Sequence, residues 1–532
     1  MAEPSREAVQ PILQPSVEDI RLSQSLTLEG LGSSLHSHGS NSGKSKGNSN
    51  AVAQPPGDED LPSPGLRRRS FSQRTIRDMT IHGIRHSFLT LTSTALGGGL
   101  LAVAFVMAQV GVGLGILMLM IGAMLAYLST VVLMQISIEI GECSFAGLFS
   151  YCAGPRAGPI LDTMLFLYGN GCCVNFFCFL GDFIPDLVRL LAPLAPGWCS
   201  SRWLAITSAA VLIVPMALQR ELAALRFMTP VSIISLVYAA AVIAARCVHY
   251  YSEHTRAADH AEYGELKVID FNINLFNAFS ICVFAFNCHI NVIPVAGRLV
   301  RPTRQRIQKV ALWVNILQVA FYILIGLTGY LTFLAKTPGD ILKGFKVDDP
   351  FIAVARFLLS FAMIVAIVMN VIPTVRCGLQ ARDYFFPDNP FLLPSPSNSP
   401  RTTPRDSPVL PSRQALPLAG EASGNSPASP RSDSGQLLGT EPALPRIFLT
   451  LLSLVIEVLI AIVVPNVAIV ISLLGATVAT AMMMVIPAWA IGKVLPYSIW
   501  HRCQQAMLLF FACVSFASVP INILQTAHVI PS

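Results

Sequence analysis

The sequence predicts an all-helical protein embedded in a membrane, and its composition and patterning both support this prediction. Of the 532 residues, 53% are hydrophobic and 12% are charged, which is about half the charged fraction of an ordinary soluble protein. The apolar residues form long blocks, among them 86–138, 271–295 and 447–491. A crossing of the bilayer takes about 20 residues, so each block can supply one or two crossings. We therefore expect the lipid bilayer to be a partner of the chain.

Eleven helices follow from the apolar runs and the turn residues that interrupt them. Lys and Arg concentrate in connections on the same side as the N-terminus, such as 298–309, which contains basic but no acidic residues. This distribution predicts a cytoplasmic N-terminus. The predicted helices lie near 86–109, 111–138, 157–183, 203–219, 228–250, 270–297, 310–335, 351–375, 446–464, 467–492 and 504–526.

Two polar segments are expected to lie in the cytoplasm. Residues 1–80 contain Phe71 as their one aromatic residue, amid Ser, Gly, Pro and charge, so they cannot bury enough apolar surface to fold and are predicted to be a disordered tail. Residues 381–445 are rich in Pro and Ser, and this density of proline excludes a regular helix. The predicted division is a tail over 1–80, helices 1–8 over 81–380, the insert over 381–445 and helices 9–11 over 446–526.

Two of the spans contain residues that disfavour a continuous helix. The first has three consecutive glycines, 97–99, near its centre, and glycine weakens a helix. The sixth is interrupted by polar residues and a proline within 287–294. Glycines can instead serve close helix packing, and a buried histidine can be a satisfied packing residue. Adjacent glycines and a polar cluster favour unwinding, which frees backbone groups to bind a substrate at mid-membrane.

Five spans separate the two interruptions, so the first span corresponds to the sixth. This spacing predicts a LeuT-like fold: an all-α integral membrane protein with a five-plus-five inverted repeat and an eleventh helix. The function that it indicates is transport, with a channel as an alternative that fits paired discontinuous helices less well.

An enzyme is disfavoured, because the sequence shows no nucleophile–base pair and no phosphate-binding loop. The twelve cysteines show no zinc-binding spacing. We therefore predict no catalytic residue, no metal, no cofactor and no nucleic-acid partner. The cysteines are interpreted as packing residues, and a disulfide between Cys199 and Cys247 is the less favoured alternative.

Four motifs in order make the sequence similar to the amino acid/auxin permease family, which includes neutral amino acid transporters of the plasma membrane and of vacuoles or lysosomes. The resemblance covers about residues 80–526 apart from the insert. The motifs are Leu96-Gly97-Gly98-Gly99-Leu100-Leu101 with Phe105-Val106-Met107-Ala108-Gln109-Val110-Gly111, then Phe284-Ala285-Phe286-Asn287-Cys288-His289, Pro373-Thr374-Val375-Arg376, and Val464-Pro465-Asn466 with Gly475-Ala476-Thr477 and Pro487.

The resemblance implies transport of amino acids by alternating access, in the plasma membrane or a vacuolar or lysosomal membrane. It also implies that the carboxylate and ammonium groups of the substrate meet freed backbone in the first and sixth helices. By position, the substrate-binding residues are Thr94, Gly97, Gly98, Gly99, Leu100, Ala285, Phe286, Asn287 and Cys288.

Coupling is expected to involve a proton, as symport, or to be absent, as in facilitated transport. In sodium-coupled relatives an Asn stands where this chain has Ser93, and mid-helix 8 carries a hydroxyl where residues 361–369 are apolar. A hard cation needs several oxygen ligands, so sodium is disfavoured. Candidate proton-binding residues are His289 and Glu457. The alternatives are sodium-coupled transport of the same substrates and an amino acid sensor that signals through its tail or insert.

Overall fold

The computed structural model describes residues 84–95, 97–219, 229–254, 264–299, 302–386, 443–464 and 466–526. The predicted tail over 1–80 and most of the predicted insert over 381–445 lie outside these residues. The described part of the chain is almost entirely helical.

Within the described residues, nine helices are long and apolar enough to cross a membrane, one bent pair adds a tenth span, and Arg202–Ala217 is a shorter apolar helix. Ten of the eleven predicted spans thus have a helix or bent pair of membrane length among the described residues, and the fourth corresponds to the shorter helix. In order, the spans are Ile84–Ala95 with Gly99–Val110, Val112–Ile140, Ala157–Leu191, Arg202–Ala217, Thr229–His254, Asn274–Ala285 with Val292–Arg298, Arg304–Phe333, Pro350–Phe385, Ala443–Val463, Val467–Val494, and Ile499–Phe516 with Ser518–Thr526.

Several helices extend beyond the apolar segment that predicted them. Span 8 begins at Pro350, where the Asp349 carboxylate accepts from the Phe351 N–H at 3.0 Å, and it continues to Phe385, ten residues beyond the predicted end. An additional helix, Phe145–Ala153, is capped by Ser144. These additions are polar or short, so a search for apolar runs of membrane length misses them, whereas the caps stabilise them.

Span 10 contains two π-helical turns, Gly475–Ala479 and Ala481–Val485. Gly475 packs directly on the backbone carbonyl of Ser280 in span 6, in a space that a side chain would fill. The Thr480 hydroxyl donates to the Gly475 carbonyl at 2.6 Å. Glycine at position 475 is thus needed for span 10 to approach span 6 this closely. In the wider π-helical turn, the Thr480 hydroxyl provides a hydrogen bond to the Gly475 carbonyl.

A buried guanidinium connects spans 3 and 8 at one end of the bundle. Arg356 is 1% exposed, lies 3.3 Å from the Asp186 carboxylate, and donates to the carbonyls of Leu342 and Phe345, each at 2.9 Å. The same carboxylate lies 3.4 Å from Arg189, whose side chain is 58% exposed. Arg356 therefore holds the connection between spans 7 and 8 against the end of span 3.

A second acidic residue of span 3 extends this cluster. The Asp182 carboxylate bonds Arg202 at the start of span 4 and lies 3.4 Å from the Lys343 ammonium. Nearby, Asp340 is buried, and its carboxylate accepts from the Leu342 N–H at 3.1 Å. Burial raises the pKa of Asp340 well above its usual range, and the like charge of Asp182 adds to the effect.

All twelve cysteines are free thiols. The alternative disulfide between Cys199 and Cys247 is therefore not formed. Cys247 is buried within span 5, where its thiol lies beside Thr332, whereas Cys199 belongs to the short turn Gly197–Ser200.

Candidate functional site

The first span is broken at its glycines. Its first half ends at Ala95, its second half begins at Gly99, and the two halves are bent by 55°. At Gly99 a β-carbon would lie 2.8 Å from the Cα of Ala285, so glycine is required for this approach between spans 1 and 6. The break opens the N-terminus of the second half, where the first N–H groups have no partner one turn earlier in the helix.

The sixth span is broken at the position opposite. Its first half ends at Ala285, and regular helix resumes at Val292 after a short 3₁₀ turn, His289–Asn291. The Tyr322 hydroxyl of span 7 donates to the Ala285 carbonyl at 2.5 Å, and its ring lies 4.9 Å from that of Phe286. Tyr322 therefore satisfies a carbonyl that the break leaves without a helical partner.

His289 is held by a hydrogen-bond network that crosses three spans. Its Nδ1 lies 3.1 Å from Oδ1 of Asn287, and its Nε2 bonds the Ser129 hydroxyl of span 2. The Asn287 amide nitrogen donates to the Tyr168 hydroxyl of span 3 at 3.1 Å. A neutral imidazole with Nδ1 protonated, and with Ser129 donating to Nε2, satisfies both ring nitrogens. The network holds the unwound segment of span 6 in one conformation.

The two breaks also contact each other through side chains. The Asn291 amide nitrogen donates to the Thr94 hydroxyl at 2.8 Å, and that hydroxyl donates to the Thr90 carbonyl at 2.9 Å. This contact and the approach of Gly99 to Ala285 bring the predicted site residues of the two spans together. Most are buried and two are half-buried: Gly98, Gly99, Leu100, Ala285, Phe286, Asn287 and Cys288 are buried, whereas Thr94 and Gly97 are half-buried. Their role in binding substrate remains a prediction.

Span 3 supplies residues that the sequence analysis missed. Tyr168, Cys172, Asn175 and Phe179 follow one face of the helix at spacings of three or four residues. Tyr168 reaches the sixth-span break, and Asn175 lies against Gly98 in the first. An amide inside an apolar span is itself a signal of function, but its proximity to the glycines depends on helix packing that one sequence does not reveal.

The predicted coupling residues have different surroundings. Ser93 donates to the carbonyl of Thr90 in its own helix at 3.0 Å. Glu457 is 1% exposed in span 9, where neither carboxylate oxygen has a hydrogen-bond partner and the Cys173 thiol of span 3 is nearby. A carboxylate without a partner in this position would be an uncompensated buried charge.

Span 8 offers side-chain oxygens only outside its middle segment. Ser360, Asn370 and Thr374 each donate to a carbonyl of their own helix, at 2.7, 2.9 and 2.6 Å. Residues 361–369 carry none. The middle of span 8 therefore supplies no side-chain oxygen for a sodium site.

Replacing His289 with Ala is expected to disturb this site enough to lower, by about tenfold or more, the transport that the sequence analysis predicts. The change removes both ring hydrogen bonds and leaves the buried Ser129 hydroxyl without its partner, which costs about 1–3 kcal/mol, whereas the Asn287 carbonyl still accepts from the backbone N–H of residue 289. Initial uptake rates measured at equal protein in the membrane check this expectation. His501→Ala is the control, because His501 bonds the Pro496 carbonyl away from both breaks. Wild-type uptake by His289→Ala would show that the network does not hold the site.

Comparison with known families gives a match over most of the chain. The sequence model of a family described as transmembrane amino acid transporter protein matches residues 82–528. Vacuolar amino acid transporter 6 of Saccharomyces cerevisiae is 23% identical over 76% of this chain and 89% of its own length. Sodium-coupled neutral amino acid transporter 7 of Xenopus laevis is 24% identical over 54% of this chain and 63% of its own length.

Another relative is matched over less of its length. A Toxoplasma gondii protein described as a candidate amino acid transporter, AAT1, is 31% identical over 55% of this chain, and the match spans 40% of that relative. The first curated relatives are thus matched over about half of their length or less.

Among solved structures, a mutant form of the manganese transporter of Eremococcus coleocola superposes with a TM-score of 0.50. Its sequence is 11% identical, and the match covers 84% of this chain and 88% of that one. At this identity the likeness concerns the fold alone. The predicted LeuT-like helical fold is confirmed.

Proposed function

We propose that this chain, which belongs to the transmembrane amino acid transporter family, carries amino acids across a membrane by alternating access. Transport is proton-coupled or facilitated, and the substrate binds between the broken first and sixth spans. Carboxylate favours the N-terminus of the second half of span 1, whereas ammonium favours free carbonyls.

The observation that carries this proposal is the pairing of the two breaks. They lie five spans apart in sequence, yet Gly99 packs on Ala285 and Asn291 bonds Thr94. The two unwound segments therefore meet at one place in the helical bundle. Two helices that only pack together do not need paired breaks, whereas a substrate with two opposite charges can be bound by the backbone groups that such breaks expose.

Uptake by the purified full-length chain in liposomes tests the proposal. A panel of radiolabelled amino acids should include at least one that accumulates with saturable kinetics, above protein-free liposomes. Binding without flux, seen as thermal stabilisation by an amino acid, would instead indicate the sensor alternative. Neither flux nor binding for any amino acid would contradict the proposed function.

Replacing sodium with choline is expected to leave uptake within about twofold, an affinity change of under ~0.5 kcal/mol. The reason is that residues 361–369, in the middle of span 8, lack side-chain oxygens, and a hard cation needs several oxygen ligands. The measurement is the initial uptake rate at constant ionic strength. A steep, saturable dependence on sodium would contradict the expectation.

Acidifying the side from which uptake is measured is expected to stimulate it, and Glu457→Gln to remove the stimulation. The Glu457 carboxyl has only the Cys173 thiol beside it, so its charged form is poorly stabilised and a bound proton removes that cost, whereas both nitrogens of His289 already take part in hydrogen bonds. Glu139→Gln is the matched control, because Glu139 is exposed at the end of span 2. If His289→Ala flattens the pH profile and Glu457→Gln does not, His289 is the proton carrier.

The proposed placement in the membrane follows the basic residues of the connections. The N-terminus, the segment 1–80 and the insert 381–445 are cytoplasmic, and the membrane is the plasma membrane or that of a vacuole or lysosome. Accessibility of an epitope at the N-terminus in intact and permeabilised cells tests the orientation.

A further inference from the structure

Among the described residues, a few buried side chains have no hydrogen-bond partner for either polar atom, and one of them, Asn175 in span 3, lies at the break in span 1. Asn175 is completely buried, and neither its Nδ2 nor its Oδ1 has a hydrogen-bond partner. Leaving such a group unpaired costs about 1–3 kcal/mol in a protein interior. A packing role does not require an amide here, since an apolar residue would avoid this cost.

The Asn175 amide is directed at the break in span 1. A β-carbon on Gly98 would overlap its Nδ2, so the amide lies directly against the backbone of Gly98. Gly98 is the residue that precedes the second half of span 1, Gly99–Val110. The first N–H groups of this twelve-residue helix have no partner one turn earlier, except that the Leu100 N–H donates to the Gly97 carbonyl at 3.1 Å. The N-terminus of helix Gly99–Val110 and the unpaired Asn175 amide therefore lie next to each other.

We propose that Asn175 is a substrate-binding residue that recognises the zwitterionic α-carbon group of an amino acid. Its Nδ2 donates to the α-carboxylate, which the N-terminus at Gly99 also favours, and its Oδ1 accepts from the α-ammonium. The inference rests on the proposed function, since it names the chemical class of the transported molecule. Recognition by Asn175 therefore requires both charged groups of the amino acid and does not depend on the side chain of that amino acid.

A substrate with both an α-carboxylate and an α-ammonium would supply the partners that the two amide atoms of Asn175 lack in the protein. A carboxylate only accepts hydrogen bonds and an ammonium only donates them. An amide offers one donor end and one acceptor end, so it can satisfy both groups of a zwitterion and gains no comparable pair from an amine or a simple acid. Sites that bind through buried polar groups reject analogues that lack the matching group, because those groups are then left unpaired.

The test compares an amino acid that the wild type transports with its methyl ester and its N-acetyl derivative as inhibitors of uptake. Wild type should discriminate strongly against both analogues. Asn175→Asp replaces the donor by an acceptor that repels carboxylate and attracts ammonium. We expect it to raise the KM for the amino acid about tenfold or more and to shift the ratio of amino acid to ester affinity about tenfold toward the ester.

The matched control is Asn170→Asp on the same helix, because the Asn170 amide already donates to the Phe166 carbonyl at 2.7 Å. It should leave the ester ratio unchanged. Asn175→Ser provides a second variant, and thermal stabilisation by each ligand in detergent gives the ratio when uptake is too low to measure. An unchanged ratio in both Asn175 variants would overturn the inference while wild-type transport stands. Failure of wild type to transport or bind any amino acid would instead overturn the proposed function.

Discussion

Replacing Gly98 with Val is expected to abolish amino acid uptake, by at least about 100-fold, or ~2.7 kcal/mol of transition-state stabilisation. A β-carbon at this position would overlap the Asn175 amide and approach the Phe179 ring to 3.0 Å. The two further methyl groups of valine would fill the space where we place the substrate. The helices themselves are held by many contacts elsewhere, so insertion into the membrane should persist. The measurements are initial uptake rate and the amount of protein in the membrane.

Gly197→Val is the matched control, because a β-carbon at Gly197 has no atom within 4 Å. This variant should retain uptake close to that of wild type. If Gly98→Val were fully active at equal abundance, the first-span break would not be a substrate site. If it were absent from the membrane, the milder Gly98→Ala would provide the comparison, with a smaller loss in the same direction.

Replacing Arg356 with Ala is expected to lower the thermal stability of the detergent-solubilised protein more than any exposed arginine does. The change removes a guanidinium that is 1% exposed, its pairing with Asp186, and its bonds to two carbonyls of the 334–349 connection. Removing one partner of a buried ion pair typically costs about 3–5 kcal/mol. Arg189 still lies 3.4 Å from the Asp186 carboxylate, so here the loss comes mainly from the vacated buried site and the two carbonyls that lose their donor. The melting curve of the solubilised protein gives the measurement.

Arg189→Ala tests the same carboxylate from the other side. Arg189 lies 3.4 Å from Asp186, but its side chain is 58% exposed. An exposed pair of this kind contributes about 0–1 kcal/mol, since water and salt screen it. The prediction is therefore a large shift for Arg356→Ala and almost none for Arg189→Ala. Equal shifts of the melting temperature in the two variants would contradict the expectation that the buried arginine contributes more to stability than the exposed one.

The sequence predicted the features that depend on local composition. Long apolar runs indicated the membrane helices, of which the described residues contain nine or, with the bent pair, ten of spanning length, and the glycines at 97–99 with the polar residues of 287–294 indicated where two of the spans break. Glycine weakens a helix and a polar group inside a membrane needs a partner. Both effects act at the residue itself, so a single sequence shows them.

Features that depend on packing could not be predicted in this way. Tyr322 satisfies the Ala285 carbonyl from another helix, Ser129 bonds His289 across 160 positions of sequence, and Asn175 meets Gly98. Each partner is an ordinary residue in its own helix. Each partner lies near a break only because its helix crosses the broken span there, and a single sequence does not show where helices cross. The helix extensions were missed for a simpler reason, because their polar turns lack the apolar signal.

The central claim is that amino acids bind between the two breaks, and a cryo-electron microscopy map with a transported amino acid tests it most directly. We expect density for the ligand between residues 97–100 and 285–288, with its carboxylate at the N-terminus of Gly99–Val110 and its charged groups within hydrogen-bond distance of the Asn175 amide. Ligand density at another place in the bundle, with both breaks and the Asn175 side chain unoccupied, would contradict the claim.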